Sequence, residues 1–153
     1  MADNSAMIEA TAACVNEMLD GIDKTLPELS VEALNWRPGS ETNSIYSLTA
    51  HLLGAVEAWA AMAADKKVDR DRPAEFVAEG PSAQKLLAKS QSVRKNVSSF
   101  LGELKSADLG KLANNPYFEG KTAAWCIGHA LAHMSEHYGQ LLLTKQMWDQ
   151  KQA

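Results

Sequence analysis

The stretch His129-Ala-Leu-Ala-His133-Met-Ser-Glu-His137 sets three of the chain's four histidines at intervals of four residues. Side chains four apart share a face of an α-helix, so this spacing predicts a helix with an imidazole stripe. With ~100° of rotation per residue, placing His133 at zero puts His137 at about +40°, His129 at about −40°, Gln140 at about −20° and Cys126 at about +20°. Ala130, Leu131, Leu141, Leu143, Met147 and Trp148 surround the stripe. They predict a mostly buried helix with its histidines directed inward. The fourth histidine, His51, lies far upstream in another apolar stretch.

Three further helical stretches precede this one. The first runs from Ser5 to Thr25, with Met7, Ala10, Cys14, Met18, Ile22 and Leu26 at helical spacing, and Pro27 ends it. The second begins near Ser44, after the turn-rich Pro38-Gly39-Ser40-Glu41-Thr42-Asn43, and continues to about Asp65. Its apolar stripe is Ile45, Leu48, Leu52, Ala55, Trp59 and Met62. The third spans Ser82 to Lys105, with Ser82 as its cap and Val93, Val97, Phe100, Leu101 and Leu104 on its later apolar face. The histidine helix opens around Thr122, after Asn114-Asn115-Pro116, and runs to about Trp148.

Period-2 alternation of β-branched and aromatic residues is missing, so the pattern predicts an all-α four-helix bundle forming one domain over residues 1–153. The connections at 27–43, 66–81 and 106–121 exceed the 2–8 residues usual between bundle helices. They imply either a crossover topology or segments that cover one end of the bundle and form a pocket.

The composition narrows the function. A chain of 153 residues is long enough to bury a core without staples, and 46% hydrophobic residues is ordinary for a globular protein. A formal charge of −4 and a pI near 5.5, with basic residues scattered among acids, offer no footprint for nucleic acid. Met1-Ala-Asp-Asn-Ser-Ala lacks a basic segment followed by an apolar one, so it does not read as a signal peptide. The alanine-rich run from Leu52 to Ala64 is interrupted by Glu57 and is not a membrane span. Cys14 and Cys126 have no CxxC spacing. These features predict a cytoplasmic protein with reduced thiols and no membrane association.

Burying several imidazoles costs free energy unless each ring finds a partner, and a metal ion can partner several at once. His129 and His137 are separated by ~12 Å of axial rise and cannot share one ion. One adjacent pair must be chosen, and spacing alone does not choose it. His51, on a stripe edge with Leu48, Ala55 and Met62, can supply a third ligand from a facing helix. Three neutral imidazoles with an open fourth position describe a catalytic metal site.

His133-Met-Ser-Glu136-His137 also matches the H-x-x-E-H pattern of inverted zinc proteases, but that reading needs an acidic ligand from a later helix. Glu136 reads better as a flanking acid that orients a ring. Cys126 lies ~10 Å along the axis from His133 and reads as core packing. Trp36, Trp59 and Trp125, with Tyr46 and Tyr117, read as core or rim packing rather than as a substrate pocket.

Leu34-Asn35-Trp36-Arg37-Pro38, then Ser44-Ile45 leading into His51-Leu52, then His133-x-x-x-His137-x-x-Gln140, together resemble the DinB-like superfamily. That group includes the bacillithiol- and mycothiol-dependent transferases and the maleylpyruvate isomerase group. The resemblance runs from about residue 6 to residue 148. It implies metal ligands at His51, His133 and His137, with His129 outside them, and a bundle in up-down-down-up order. It also implies a divalent ion (nickel or zinc first, manganese or iron second), water completing its shell, and a homodimer. Relatives commonly carry an arginine directly after the final histidine, where this chain has Tyr138.

The resulting expectation is a metal-dependent enzyme acting on a small-molecule substrate, with a low-molecular-weight thiol as co-substrate for S-transfer. Hydrolysis at the same three histidines is one alternative. A non-catalytic metal- or small-ligand-binding, stress-associated protein is the other. Gln140 is expected to orient a ligand ring or bound water, and Glu136 and His129 are candidates for proton transfer. A pocket opening onto the histidines favours an enzyme. A site sealed by Trp36, Trp59 or Trp125 favours a scaffold.

Overall fold

A computed structural model describes residues 5–153. Its helices are α1 (Ser5–Thr25), α2 (Val31–Asn35), α3 (Ile45–Ala63), α4 (Arg72–Phe76), α5 (Gln84–Glu103) and α6 (Ala123–Gln152). Among the described residues there is no strand, only an antiparallel bridge between Leu112 and Thr122. The four long helices lie within about two residues of the expected bounds at most ends, and α6 continues a turn further, to Gln152.

The ends follow local chemistry. A 3₁₀ turn at Leu26–Glu28 carries Pro27 just past the end of α1. At the start of α3 the Ser44 hydroxyl accepts from the Ser47 amide and the Ser47 hydroxyl accepts from the Ser44 amide, a reciprocal cap built from two serines. Thr122 caps α6 by accepting from the Trp125 amide at 3.2 Å. The expected cap of α5 is corrected. Its N-cap residue is Ala83, and the Ser82 hydroxyl is 3.4 Å from the Gln84 amide, at the weak limit of a hydrogen bond.

Helix α1 packs against α5 and α6, and α3 packs against the same two helices. Successive long helices α1 and α3 therefore occupy opposite corners of the bundle, and the connection between them has a diagonal to cross. Helix α3 also touches α2 and α4. Contacted from all sides, it is buried nearly all round, so the single apolar stripe read from its sequence is too narrow. Even Glu57 is buried there, and it holds Lys89 and the Asn96 amide, both on α5.

Helix α6 is correspondingly less buried than its composition suggests, since Leu143 and Met147 are exposed. Tyr138 turns onto α1, where a Cβ at Gly21 would lie 2.0 Å from its hydroxyl. Only glycine permits that approach, and it takes Tyr138 away from the histidine stripe.

The long connections fold back onto the α3–α6 side. Asn35, at the end of α2, donates to the Gly80 carbonyl at 2.8 Å and accepts from the Gly80 amide at 3.1 Å. Arg37 donates to the Phe76 carbonyl at 3.1 Å. These bonds tie the 64–83 connection, with α4 inside it, to the first connection. Trp36 packs on Trp148, with ring centroids 5.6 Å apart. No helix among the described residues is long and apolar enough to cross a membrane.

Candidate metal centre

His51 projects from the middle of α3, and His133 and His137 project from adjacent turns of α6. Each of the three offers a ring nitrogen within 4.8 Å of the others. Nε2 of His51 stands 3.3 Å from Nε2 of His133. A four-coordinate ion with nitrogen ligands at ~2.0–2.1 Å spaces them about 3.3 Å apart, so this pair has the separation that metal ligation needs. Two imidazole lone pairs facing each other at that distance repel unless a proton or a cation lies between them.

The opposite ring nitrogens are engaged elsewhere. Nδ1 of His51 is 3.0 Å from a carboxylate oxygen of Glu75, and Nδ1 of His137 is 2.8 Å from the side-chain oxygen of Gln140. A carboxylate only accepts, so the proton of His51 is assigned to Nδ1 and its lone pair to Nε2. The Gln140 contact assigns His137 the same way. Outer acceptors of this kind fix the tautomer and the ring orientation of metal-binding histidines.

Glu75 is itself held by both arms of a guanidinium. Nε and one terminal nitrogen of Arg70 each donate to it at 2.7 Å, and both side chains are largely buried. Burial alone would raise the Glu75 carboxyl. The hydrogen bonds and charges of Arg70 and His51 outweigh it and hold the pKa below the ordinary 4.5. The Phe76 ring lies against His51, with centroids 4.3 Å apart. Gly54, on the turn after His51, leaves room for this arrangement, since a Cβ there would lie 2.1 Å from a Glu75 oxygen.

His133 is kept neutral. Burial first, then the charges of His137, His51, His129 and Arg70, push its pKa from 6.5 down to about 3. One of its ring nitrogens therefore keeps a lone pair for a cation at neutral pH.

A pocket of about 320 Å³ opens onto the cluster, with His51 and His133 at its floor. Trp59, Tyr117, Phe118 and His129 form an aromatic wall, Arg70 lies beside Glu75, and the exposed Arg72 stands at the rim. A cleft of about 490 Å³ on the other side of Arg70 and Glu75, and one of about 450 Å³ away from the site, contain no histidine.

The expected residues fall into distinct places. His129 stays out of the cluster. Its ring stacks on Trp125 at 4.7 Å and meets Trp59 edge-on at 4.4 Å, and burial lowers its pKa against the opposing charge of Glu136. Glu136 is exposed and reaches no histidine by a hydrogen bond. The orienting acid is Glu75, because Glu136 lies on the outward side of α6.

Cys126 is buried, its thiol raised by burial against the Asn115 amide contact. Tyr46, Trp59 and Trp125 pack in or against the core and Trp36 packs on Trp148, and Trp59 and Tyr117 also line the pocket. Glu75, Arg70 and Phe76 are the residues that pattern reading missed. A signal was present in Asp71-Arg72-Pro73, where Asp71 caps α4 with Pro73 in its first turn.

A family model described as the DinB superfamily matches residues 16–141. The chain belongs to that superfamily. No curated protein matches the sequence.

The support beneath His51 and the neutral state of His133 are each open to test. Gly54→Ala introduces a better helix former by about 1 kcal/mol but displaces Glu75. It should weaken zinc binding at least ~10-fold by competition with a chelating dye, as should Glu75→Gln; wild-type affinity in both variants would contradict the Glu75–His51 link. The depressed pKa of His133 means that its contribution to stability is complete above about 6.5 and is lost as the pH falls from there toward 3. Thermal melts of metal-free protein between pH 7 and 5 should show Tm falling by several degrees, with a shallower fall in His133→Ala. Equal slopes in the two proteins would count against a buried neutral His133.

Proposed function

We propose that the protein is a divalent-metal-dependent enzyme acting on a small molecule, and that its reaction is transfer of a low-molecular-weight thiol to an electrophile. The observation that carries this reading is the pocket whose floor is made by His51 and His133. A sealed cluster would serve a scaffold, whereas this one has room beside its nitrogens for a second molecule.

His51, His133 and His137 are the residues that would hold the ion. An all-imidazole set suits zinc, nickel or iron better than manganese. A divalent ion bound there supplies Lewis acidity, which acidifies a thiol or a water molecule that reaches it.

The chain's own residues do the rest. Glu75 and Gln140 keep the His51 and His137 rings turned with Nε2 inward. Trp59 and Phe118 exclude water from one side of the pocket. In the transfer, the thiol loses its S–H proton, a C–S bond forms at the electrophilic carbon, and the leaving group departs with the electrons of its broken bond. His129, in the pocket wall, is the side chain there that can hold the released proton. Glu136 lies outside the pocket and takes no part.

Purified, untagged protein is expected to carry near-stoichiometric nickel, zinc or iron by elemental analysis, with the content falling sharply in His133→Ala and His51→Ala. Metal-loaded protein is expected to couple a small thiol to a chlorinated aromatic or an epoxide, with kcat/KM reduced more than ~100-fold in His133→Ala. Removing a ligand should cost more than the ~10–100-fold typical of an outer partner. A wild-type protein that takes up no divalent ion when supplied would overturn the metal reading. Full metal content without activity toward any thiol would overturn the transfer reading and leave hydrolysis or a binding role.

A further inference from the structure

We infer that the pocket above the histidines receives a one-ring aromatic carboxylate, its ring against Trp59 and Phe118 and its carboxylate on Arg72. The inference rests on the metal-enzyme reading above and gives that enzyme a substrate class.

Size sets the first bound. At about 320 Å³, the pocket is at the small end of the range for ligand sites, which suits a single ring and its substituents. The wall sets the second. Phe118 is 44% exposed and Tyr117 is 50% exposed, so both rings have surface free for a ligand in the pocket they line. Trp59, nearly buried, lies roughly parallel to Phe118 with centroids 6.0 Å apart, and His129 meets Trp59 edge-on. Four aromatic or imidazole rings thus line one volume with two histidines beside them, and a flat ring can stack on or meet edge-on whatever surface they present. An aliphatic ligand of equal volume gains only its burial.

Charge sets the third bound. The pocket is lined by two guanidiniums and no carboxylate. Arg70 turns Nε and one terminal nitrogen to Glu75, which offsets its charge, and that terminal nitrogen also stands 3.3 Å from Nδ1 of His51. Among the described residues Arg72 makes no ion pair, and its guanidinium lies 5.0 Å from the centre of the Phe76 ring. Phe76 in turn packs on His51. The free cation is therefore fixed relative to the histidine cluster by a stack of two rings. The neighbouring acid, Asp71, turns one oxygen to the Ala74 amide as the cap of α4 and makes no ion pair with Arg72.

One unpaired planar fork at the rim matches one carboxylate, which it can take through two parallel hydrogen bonds. A ring held there by its carboxylate presents its other substituents toward the floor, where His51 and His133 lie.

The probe is benzoate, titrated calorimetrically into zinc-loaded protein, with acetate and benzyl alcohol as the charge-only and ring-only controls. Benzoate is expected to bind at least ~10-fold tighter than either control, the effect of one charge-assisted contact added to ring burial. Arg72→Ala should weaken benzoate about 10-fold while leaving benzyl alcohol and zinc content unchanged. Arg72→Lys should recover part of the loss, and Phe118→Ala should weaken benzoate and benzyl alcohol together. Arg72 and Phe118 are exposed, so both variants should fold, which circular dichroism checks.

Zinc-loaded protein that binds benzoate no better than acetate, or equally well with and without Arg72, overturns the aromatic-carboxylate assignment and leaves the metal site standing. Protein that takes up no zinc overturns the metal reading. In that case the same titration without metal still decides the pocket, with dependence on Arg72 supporting the assignment and its absence overturning it.

Discussion

The carboxylate of Glu75 stands 3.0 Å from Nδ1 of His51, and the geometry of the centre depends on that contact. It assigns the proton of a buried imidazole to one nitrogen and leaves the other as a lone pair aimed at His133. Without an acceptor on that side, His51 would hold a polar N–H in the most tightly packed helix of the bundle, at the cost of an unmade hydrogen bond. With it, the ring is fixed in both tautomer and direction. Gln140 does the same for His137 from solvent, where less desolvation is at stake. The inner ligand is thus braced by a buried ion pair and the outer one by an exposed amide.

That brace is delivered by a connection rather than by a bundle helix. Glu75, Phe76 and Arg72 all come from the five-residue α4, which is too short to be stable alone. Its position is imposed by neighbours. Asn35 clasps Gly80, Arg37 holds the Phe76 carbonyl, and Arg70 closes on Glu75. The Asn35-Trp36-Arg37 segment therefore has a physical role remote from its own place in the chain, since it anchors the segment that orients His51. The length of the 64–83 connection is what lets it supply a brace, a ring to pack on His51 and a free cation at the pocket rim.

Much of this was legible in the residue pattern. The four-residue histidine spacing, the Pro27 stop, and the helix starts near Ser44 and Thr122 are local signals, and local rules read them, although the cap read at Ser82 falls on Ala83. Axial rise alone ruled out one ion shared by His129 and His137. Other features depend on tertiary packing and leave little periodic trace. Burial of α3 on every side arises because four other helices touch it, which its own stripe does not encode. Glu75 lies 24 residues from His51, and nothing in their spacing links them. Glu136 was the nearer acid by sequence, yet its side of α6 faces outward. The pocket wall likewise joins Trp59 of α3 to Phe118 of a loop, a pairing that only the folded connections create.

The account as a whole requires that His51, His133 and His137 bind one ion together and leave it a place for another ligand. X-ray absorption spectroscopy of the zinc- or nickel-loaded protein tests this directly. The account predicts three imidazole nitrogens at about 2.0–2.1 Å together with at least one light oxygen scatterer and no sulfur. A spectrum with a sulfur ligand, with fewer than three imidazoles, or of a fully hydrated ion would contradict it.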